Sequence, residues 1–193
     1  MDQKRPFNQK GIVVWLFGLS GAGKTTISNL LKEKLENDGF TAVALDGDEL
    51  RKSINKDLSY SEMDRQENLR RAAEIAKIML NNNMITICSF ITPLQKHRNV
   101  VSGIIGNNYF EVFVDCPLDV CFKRDVKGLY KKAKANQILD FTGISSVFEK
   151  PENPNLVIST AYESPDQSTK KVYSKVIPLV SLSIPELKDT LPL

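Results

Sequence analysis

An α/β fold is predicted, with a five-stranded parallel sheet and helices on both faces. Three observations predict it. Apolar runs of strand length recur at 12–17, 41–45, 84–88, 110–114 and 156–159. Segments with helical spacing separate them, and strands that alternate with helices pair in parallel because each crossover returns the chain to the same edge. The first run ends on a glycine-rich turn that opens directly into a helix.

Each element has its own signal. Residues 12–17 read IVVWLF, a continuous apolar run expected of a strand buried on both faces. Residues 24–37 carry Ile27, Leu30, Leu31 and Leu35 on one helical face, and Asp38-Gly39 stops the helix with Gly39 as its C-cap. The second strand, 41–45, closes on Asp46-Gly47-Asp48. A long helix spans 61–80, with Ser61 as N-cap and Asp64 at the third helical position as a variant capping box. Its first turns hold Arg65, Asn68, Arg70 and Arg71, and its later turns are apolar. Strand three is 84–88. Pro93 opens a helix to about residue 105, a place where proline costs no hydrogen bond. The lone His97 is expected to face solvent there. Strand four is 110–114, a further helix starts at 117–123, and 156–159 is the weakest strand pattern. The last helix is expected over 168–176, after Pro165-Asp166.

Residues 124–154 show no strand pattern. The stretch holds Lys127, Lys131, Lys132 and Lys134 among Gly128, Tyr130, Phe141 and Gly143. A basic, partly aromatic segment broken by glycine is the make-up of a mobile lid over an anionic ligand. A solvated helix and loop is the alternative. No repeat divides the chain, and 1–193 is read as one domain.

Composition excludes several functions. Of 193 residues, 41% are hydrophobic and 25% charged, as in an ordinary globular domain. The net charge of +3, from 26 basic and 23 acidic residues, is too mild to argue for nucleic acid or a membrane surface. Cys88, Cys116 and Cys121 are odd in number and form no CxxC pair, so reduced, buried thiols are expected. The stretch 1–10 is polar, unlike a signal peptide, and no apolar run approaches the roughly 18 residues of a membrane helix. The expected location is cytoplasmic.

Residues 18–25, GLSGAGKT, match G-x-x-x-x-G-K-[ST] at every fixed position. Glycines let backbone N–H groups turn inward on phosphates without a Cβ clash. The expected cradle is Gly18, Ser20, Gly21, Ala22, Gly23, Lys24, Thr25 and Thr26. Lys24 would reach the β- and γ-phosphates of ATP, and the Thr25 hydroxyl would ligate Mg²⁺. The following helix adds its positive dipole end. The preceding strand and following helix are the context that makes this a P-loop. The N/T-K-x-D base-reading motif of GTPases is absent, which leaves a kinase or another ATPase.

The acceptor side is marked by Asp46-Gly47-Asp48-Glu49-Leu50-Arg51, just past the second strand. Ligands of open α/β sheets bind beyond the carboxyl ends of the strands. Asp48 would also serve as cap of a short helix. Arg51, Arg65, Arg70 and Arg71 gather guanidiniums suited to bidentate phosphate or sulfate contacts. Tyr60 and Phe141 are aromatics in polar surroundings that could stack on a base, core anchoring being the default for either.

With these segments on view the sequence resembles the adenosine 5′-phosphosulfate (adenylylsulfate) kinases. The resemblance rests on GLSGAGKTT (18–26), LDGDELR (45–51), DLSYSEMDRQENLRR (57–71), FVDCPLDVCFKRDVKGLYKKA (113–133), FTGI (141–144) and PENPNLVI (151–158). It implies transfer of the γ-phosphoryl of ATP to the 3′-hydroxyl of adenosine 5′-phosphosulfate. By the resemblance, Asp46 would orient or deprotonate that hydroxyl and hold a magnesium water, and so be catalytic with Lys24 and metal-binding with Thr25. Arg51, Arg65 and Asn68 would hold the phosphosulfate and sugar. Tyr60 and Phe141 would sandwich the acceptor adenine, and Asp48, Phe90 and Lys127 would complete the acceptor side. A homodimer is also implied, and an ATP sulfurylase partner is left open.

The chain departs from the family pattern after strand three. Thr92 replaces a serine, and Leu94 and Gln95 replace an aromatic and an arginine, one cation fewer near the acceptor. Ser145 and Ser146 stand where the family favours acids. Two alternatives follow: a kinase of another nucleotide conjugate such as a cytidine diphosphate derivative, and a silent nucleotide-binding subunit. Intact Lys24, Thr25, Asp46 and Arg51 argue against the second.

Overall fold

The computed structural model describes residues 9–182. The apolar run makes β1 (Ile12–Phe17), buried at all six positions. There follow α1 (Lys24–Asn37), β2 (Ala42–Asp46), the short α2 (Gly47–Lys52), α3 (Glu62–Asn81) and β3 (Ile85–Phe90). Then come α4 (Gln95–Ile105), β4 (Tyr109–Asp115), α5 (Leu118–Arg124), α6 (Leu129–Lys134), β5 (Leu156–Ser159) and α7 (Pro165–Val180).

The sheet is wholly parallel in the order β2-β3-β1-β4-β5. Side chains alternate along β1, so its two faces feed two cores. Ile12, Val14 and Leu16 join Ile27, Leu31 and Leu35 of α1 and Val172 and Val176 of α7. Val13, Trp15 and Phe17 join Ala72, Ala73 and Ala76 of α3 and Val101 and Ile105 of α4. β1 is therefore central, and its carboxyl end delivers the phosphate loop to the middle of the sheet.

Several boundaries differ from those read in the sequence, for one reason. β2, β3 and β4 run on to Asp46, Phe90 and Asp115. Their last residues are partly polar, so an apolar-run rule stops short, but the backbone ladder continues to the carboxyl edge. α7 begins at Pro165, because Ser164 and Gln167 form a reciprocal capping box, and it continues to Val180. Ser61 caps α3 as expected, accepting from the Asp64 amide. Gly39 lies one residue past the α1 cap Asp38, in the left-handed region.

Two expectations fail. His97 does not face solvent; it is fully buried, and neither ring nitrogen has a hydrogen-bond partner. The phase of α4 puts His97, Arg98, Val101 and Ile105 on its inner face, and desolvation depresses the imidazole pKa. Asp48 does not cap α2; Asp46 does, accepting from the Asp48 amide at 2.9 Å. The three cysteines are free and buried. Among the described residues no helix is long and apolar enough to cross a membrane. The polar stretch read at 1–10 lies mostly outside the described residues.

Candidate active site

The phosphate loop turns its carbonyls outward, and each has a donor. Lys24 Nζ donates to Gly18 O at 3.0 Å and to Leu19 O at 2.7 Å. The Tyr130 hydroxyl donates to Ser20 O at 2.9 Å, Arg124 Nη1 to Gly21 O at 3.4 Å, and Thr160 Oγ1 to Ala22 O at 2.8 Å. The Gly18 and Ala22 N–H groups donate to Ile91 O and Leu19 O, and with the carbonyls so held the other N–H groups of the loop are left to face an anion. Gly18 is required by its surroundings: a Cβ there would lie 2.5 Å from Val114 O.

Lys24 is buried, and desolvation lowers its pKa to about 8. Beside it, Thr25 Oγ1 donates to Asp46 Oδ2 at 2.8 Å. The hydroxyl and the carboxylate thus meet across the ends of β1 and β2. Two hard oxygen donors in contact beside a phosphate loop fit the ligand chemistry of Mg²⁺.

On the acceptor side the structure sorts the arginines. Arg70 is paired to Glu67 at 2.7 Å, and Arg71 to Asp57 at 2.8 Å and Glu67 at 2.9 Å. These two brace α3 and are not free to meet a ligand; between them they pull the Glu67 pKa down to about 2. Arg51 donates to Ser59 O at 2.9 Å, and its guanidinium lies 4.4 Å from the Tyr60 ring centre. Arg65 donates to Tyr60 O at 2.7 Å and to Thr142 Oγ1 at 2.6 Å, with a further bond to Asp140 O. Arg51 and Arg65 therefore share one neighbourhood with Tyr60, which is exposed.

Other predicted acceptor residues sit deeper. Asn68 is buried and accepts from Asn55 Nδ2 at 2.9 Å, tying the 53–60 loop to α3. Phe90 stacks on Trp15 with centroids 4.8 Å apart. It also underlies Gly47, where a Cβ would come within 2.9 Å of its ring. Phe141 is buried, edge-on to Tyr130 at 5.0 Å. Its ring contact is thus with Tyr130, and Tyr60's is with Arg51.

Residues 124–154 fold over these groups. Asp125 accepts from the amides of Tyr130 and Lys131 and so starts α6. Lys127 forms an ion pair with Asp48. The Glu149 carboxylate accepts from the Gln95 amide at 2.6 Å, and the Glu149 amide donates to Pro93 O at 2.8 Å, fixing the far root of the segment to α4. Between this strap and the end of β4 lies a cavity of about 610 Å³, walled by Leu19, Phe113, Pro117, Leu118, Ile144, Val147 and Phe148 among others.

Residues 10–159 match the family model for adenylylsulphate kinase. The chain belongs to the adenylylsulphate kinase family. It is 45% identical over 179 residues to the adenylyl-sulfate kinase of Halothermothrix orenii, covering 93% of this chain and 96% of that one. Among solved structures it is similar to the APS kinase CysC of Mycobacterium tuberculosis in complex with AMPPNP and APS. That match has a TM-score of 0.84 and 40% identity, and covers 87% of this chain and 98% of the other. A hexameric APS kinase from Thiobacillus denitrificans matches at TM-score 0.67 and 26% identity, over 92% of this chain and 31% of that chain. The fold is that of the P-loop NTPases.

Within this adenylylsulphate kinase framework the departure at Gln95 has a structural explanation, and nothing in the structure explains Leu94. Gln95 Oε1 accepts from Arg98 Nη2 at 2.9 Å, and Arg98 is buried, 5.3 Å from the Phe17 ring centre. Thr92 keeps the hydroxyl of its serine counterpart, which accepts from Trp15 Nε1 at 2.9 Å. Three residues that hold the phosphate loop, Arg124, Tyr130 and Thr160, were not singled out as site residues in the sequence. Arg124 and Tyr130 lie in the 113–133 segment that carries the resemblance, but their roles were not legible because the three lie 103, 110 and 138 residues from the loop carbonyls they bind.

Proposed function

We propose that this chain transfers the γ-phosphoryl of ATP to the 3′-hydroxyl of adenosine 5′-phosphosulfate, giving 3′-phosphoadenosine 5′-phosphosulfate and ADP. The observation that carries the reading is the meeting of Thr25 and Asp46 beside Lys24 at the sheet edge, with Arg51 and Arg65 gathered around Tyr60. Phosphoryl transfer needs positioning and charge stabilisation more than covalent help. Inward loop N–H groups and Lys24 hold the β- and γ-phosphates and neutralise charge that develops there. Asp46 receives the acceptor hydroxyl and its proton. Thr25 and Asp46 would hold Mg²⁺, which would supply Lewis-acid neutralisation of the phosphate charge. Arg51 and Arg65 take the phosphosulfate, Tyr60 offers its exposed ring to the adenine, and Lys127 leaves Asp48 as the 124–154 segment adjusts over the substrates.

The test is ADP release with adenosine 5′-phosphosulfate and a cytidine diphosphate conjugate compared side by side, the product identified by mass. Turnover of the phosphosulfate alone is expected. Faster turnover of the cytidine compound would overturn the acceptor and leave the kinase. No ADP with either would favour a silent subunit. We further propose a homodimer working in the cytoplasm in sulfate activation beside a separate ATP sulfurylase. Light scattering of the purified chain tests the first point, and a mass of one chain or of six would overturn it.

A further inference from the structure

The donors that hold the loop carbonyls do not all come from the same layer. Arg124 ends α5, and Thr160 follows β5. Tyr130 comes from α6, within the 124–154 segment that covers the acceptor side and begins at Arg124. Its side chain is 1% exposed, and its ring lies edge-on to Phe122 at 5.9 Å and to Phe141 at 5.0 Å. Burial raises the phenol pKa, so the hydroxyl stays a donor throughout the working range.

Phe141 is flanked by the two groups that Arg65 binds. Arg65 reaches Asp140 O on one side and Thr142 Oγ1 on the other. A continuous chain of contacts therefore runs from Arg65 through residues 140–142 to the Phe141 ring, on to Tyr130, and ends at the carbonyl of Ser20. One end is an acceptor-side guanidinium and the other is the phosphate loop.

We propose that Tyr130 is a positioning residue that sets the phosphate loop through Ser20 and links its geometry to the engagement of Arg65. The linkage half rests on the acceptor assignment above; the loop half does not. An anionic acceptor that recruits Arg65 changes its hold on Asp140 and Thr142, and the packed rings carry that change to Ser20. Coupling of this kind is reciprocal, so nucleotide must equally change acceptor affinity. A contiguous set of packed groups is the physical route such coupling needs.

The experiment is calorimetric titration of AMPPNP into the full chain, with and without saturating adenosine 5′-phosphosulfate, for wild type, Tyr130→Phe and Thr142→Val. Tyr130→Phe keeps the ring packing and deletes one hydrogen bond to a loop carbonyl. It is expected to weaken AMPPNP binding about three- to tenfold without acceptor, and to bring the acceptor-induced change in AMPPNP affinity close to one. Thr142→Val leaves Tyr130 in place. It is expected to keep the wild-type affinity for AMPPNP alone and to reduce only the change on adding acceptor. In steady state Tyr130→Phe should raise the KM for ATP more than it lowers kcat, which mere loss of stability would not do. Wild-type AMPPNP affinity in Tyr130→Phe would overturn the positioning role. An acceptor effect that is absent in wild type, or undiminished in both variants, would overturn the link. If wild type binds no adenosine 5′-phosphosulfate, the acceptor assignment falls, and the titration without acceptor still decides the role of Tyr130 at the loop.

Discussion

The donor side and the acceptor side of the site are built in opposite ways. The phosphate loop is one contiguous stretch, 18–25, between the central strand and its helix, and its ligand groups are mainly backbone. The acceptor side is assembled from the end of β2, the 53–60 loop, the start of α3 and residues 127 and 140–142. Its ligand groups are long side chains already held by internal partners: Arg51 by Ser59 O, Arg65 by Thr142 and two backbone carbonyls, and Lys127 by Asp48. A site made of backbone is set by local geometry. A site made of charged side chains must exchange internal partners for those of the ligand, which makes it adjustable and sensitive to substitution.

Four measurements break or sharpen that contrast. Lys24→Ala should have the largest effect. It removes the charge on the transferred phosphoryl, and kcat is expected to fall by about a hundred- to a thousandfold. Circular dichroism should be unchanged, because the amine holds loop carbonyls and anchors no apolar core. Near-normal turnover would contradict the donor-side assignment.

Asp46→Asn should follow, with kcat lower by about two orders of magnitude. The amide can still accept from the Asp48 amide and cap α2, so melting temperature and AMPPNP affinity should move little. Asp46→Ala loses the cap as well and should cost about 1 kcal/mol more in stability. If Asp48→Asn is the crippling change and Asp46→Asn the mild one, the two carboxylates have exchanged roles.

Arg51→Ala and Arg65→Ala test the adjustable side. Each is expected to raise the KM for the acceptor by about ten- to a hundredfold, the worth of one charge-assisted hydrogen bond to an anion. The KM for ATP should stay within about threefold for Arg51→Ala. A larger change in ATP binding than in acceptor binding would mean that the two nucleotide sites are the wrong way round.

The smallest effect concerns pH. In the free protein the pKa of Lys24 is lowered to about 8, mainly by desolvation. Phosphates bind the charged form, so above that pH binding must take up a proton, and kcat/KM for ATP should fall. The fall should be about tenfold at one pH unit above the pKa and should continue with unit slope. The sign follows from the lowered pKa: below about 8 the ammonium is present and affinity is level. A profile flat to pH 10 would show that Lys24 keeps its ordinary pKa.

Much of the fold was legible in the sequence because strand burial and helix periodicity are local signals. β1, α1 and β5 were placed at their observed residues, and Ser61 was placed correctly as a cap. Strand ends were missed where polar residues such as Ser89 and Asp115 continue the ladder. His97 was misplaced because a polar type was taken as a sign of exposure, whereas helix phase decided its burial. Asp46 and Asp48 were indistinguishable by type. Only the backbone turn at the end of β2 shows that Asp46 both caps α2 and accepts from Thr25.

By itself, then, the sequence determined the sheet of alternating elements, the phosphate loop and the residue types able to carry phosphoryl transfer. Each of these depends on spacing along the chain or on a contiguous motif. Tertiary structure alone decided that Arg71 also pairs with Asp57, 14 residues away, beyond the same-helix pairing of Arg70 and Arg71 with Glu67. It alone decided that Arg98, paired with Gln95 on the same helix, is buried against Phe17, and that Tyr130 reaches the loop. Pairing between side chains many residues apart depends on where the fold brings them, and residue type and spacing do not encode it.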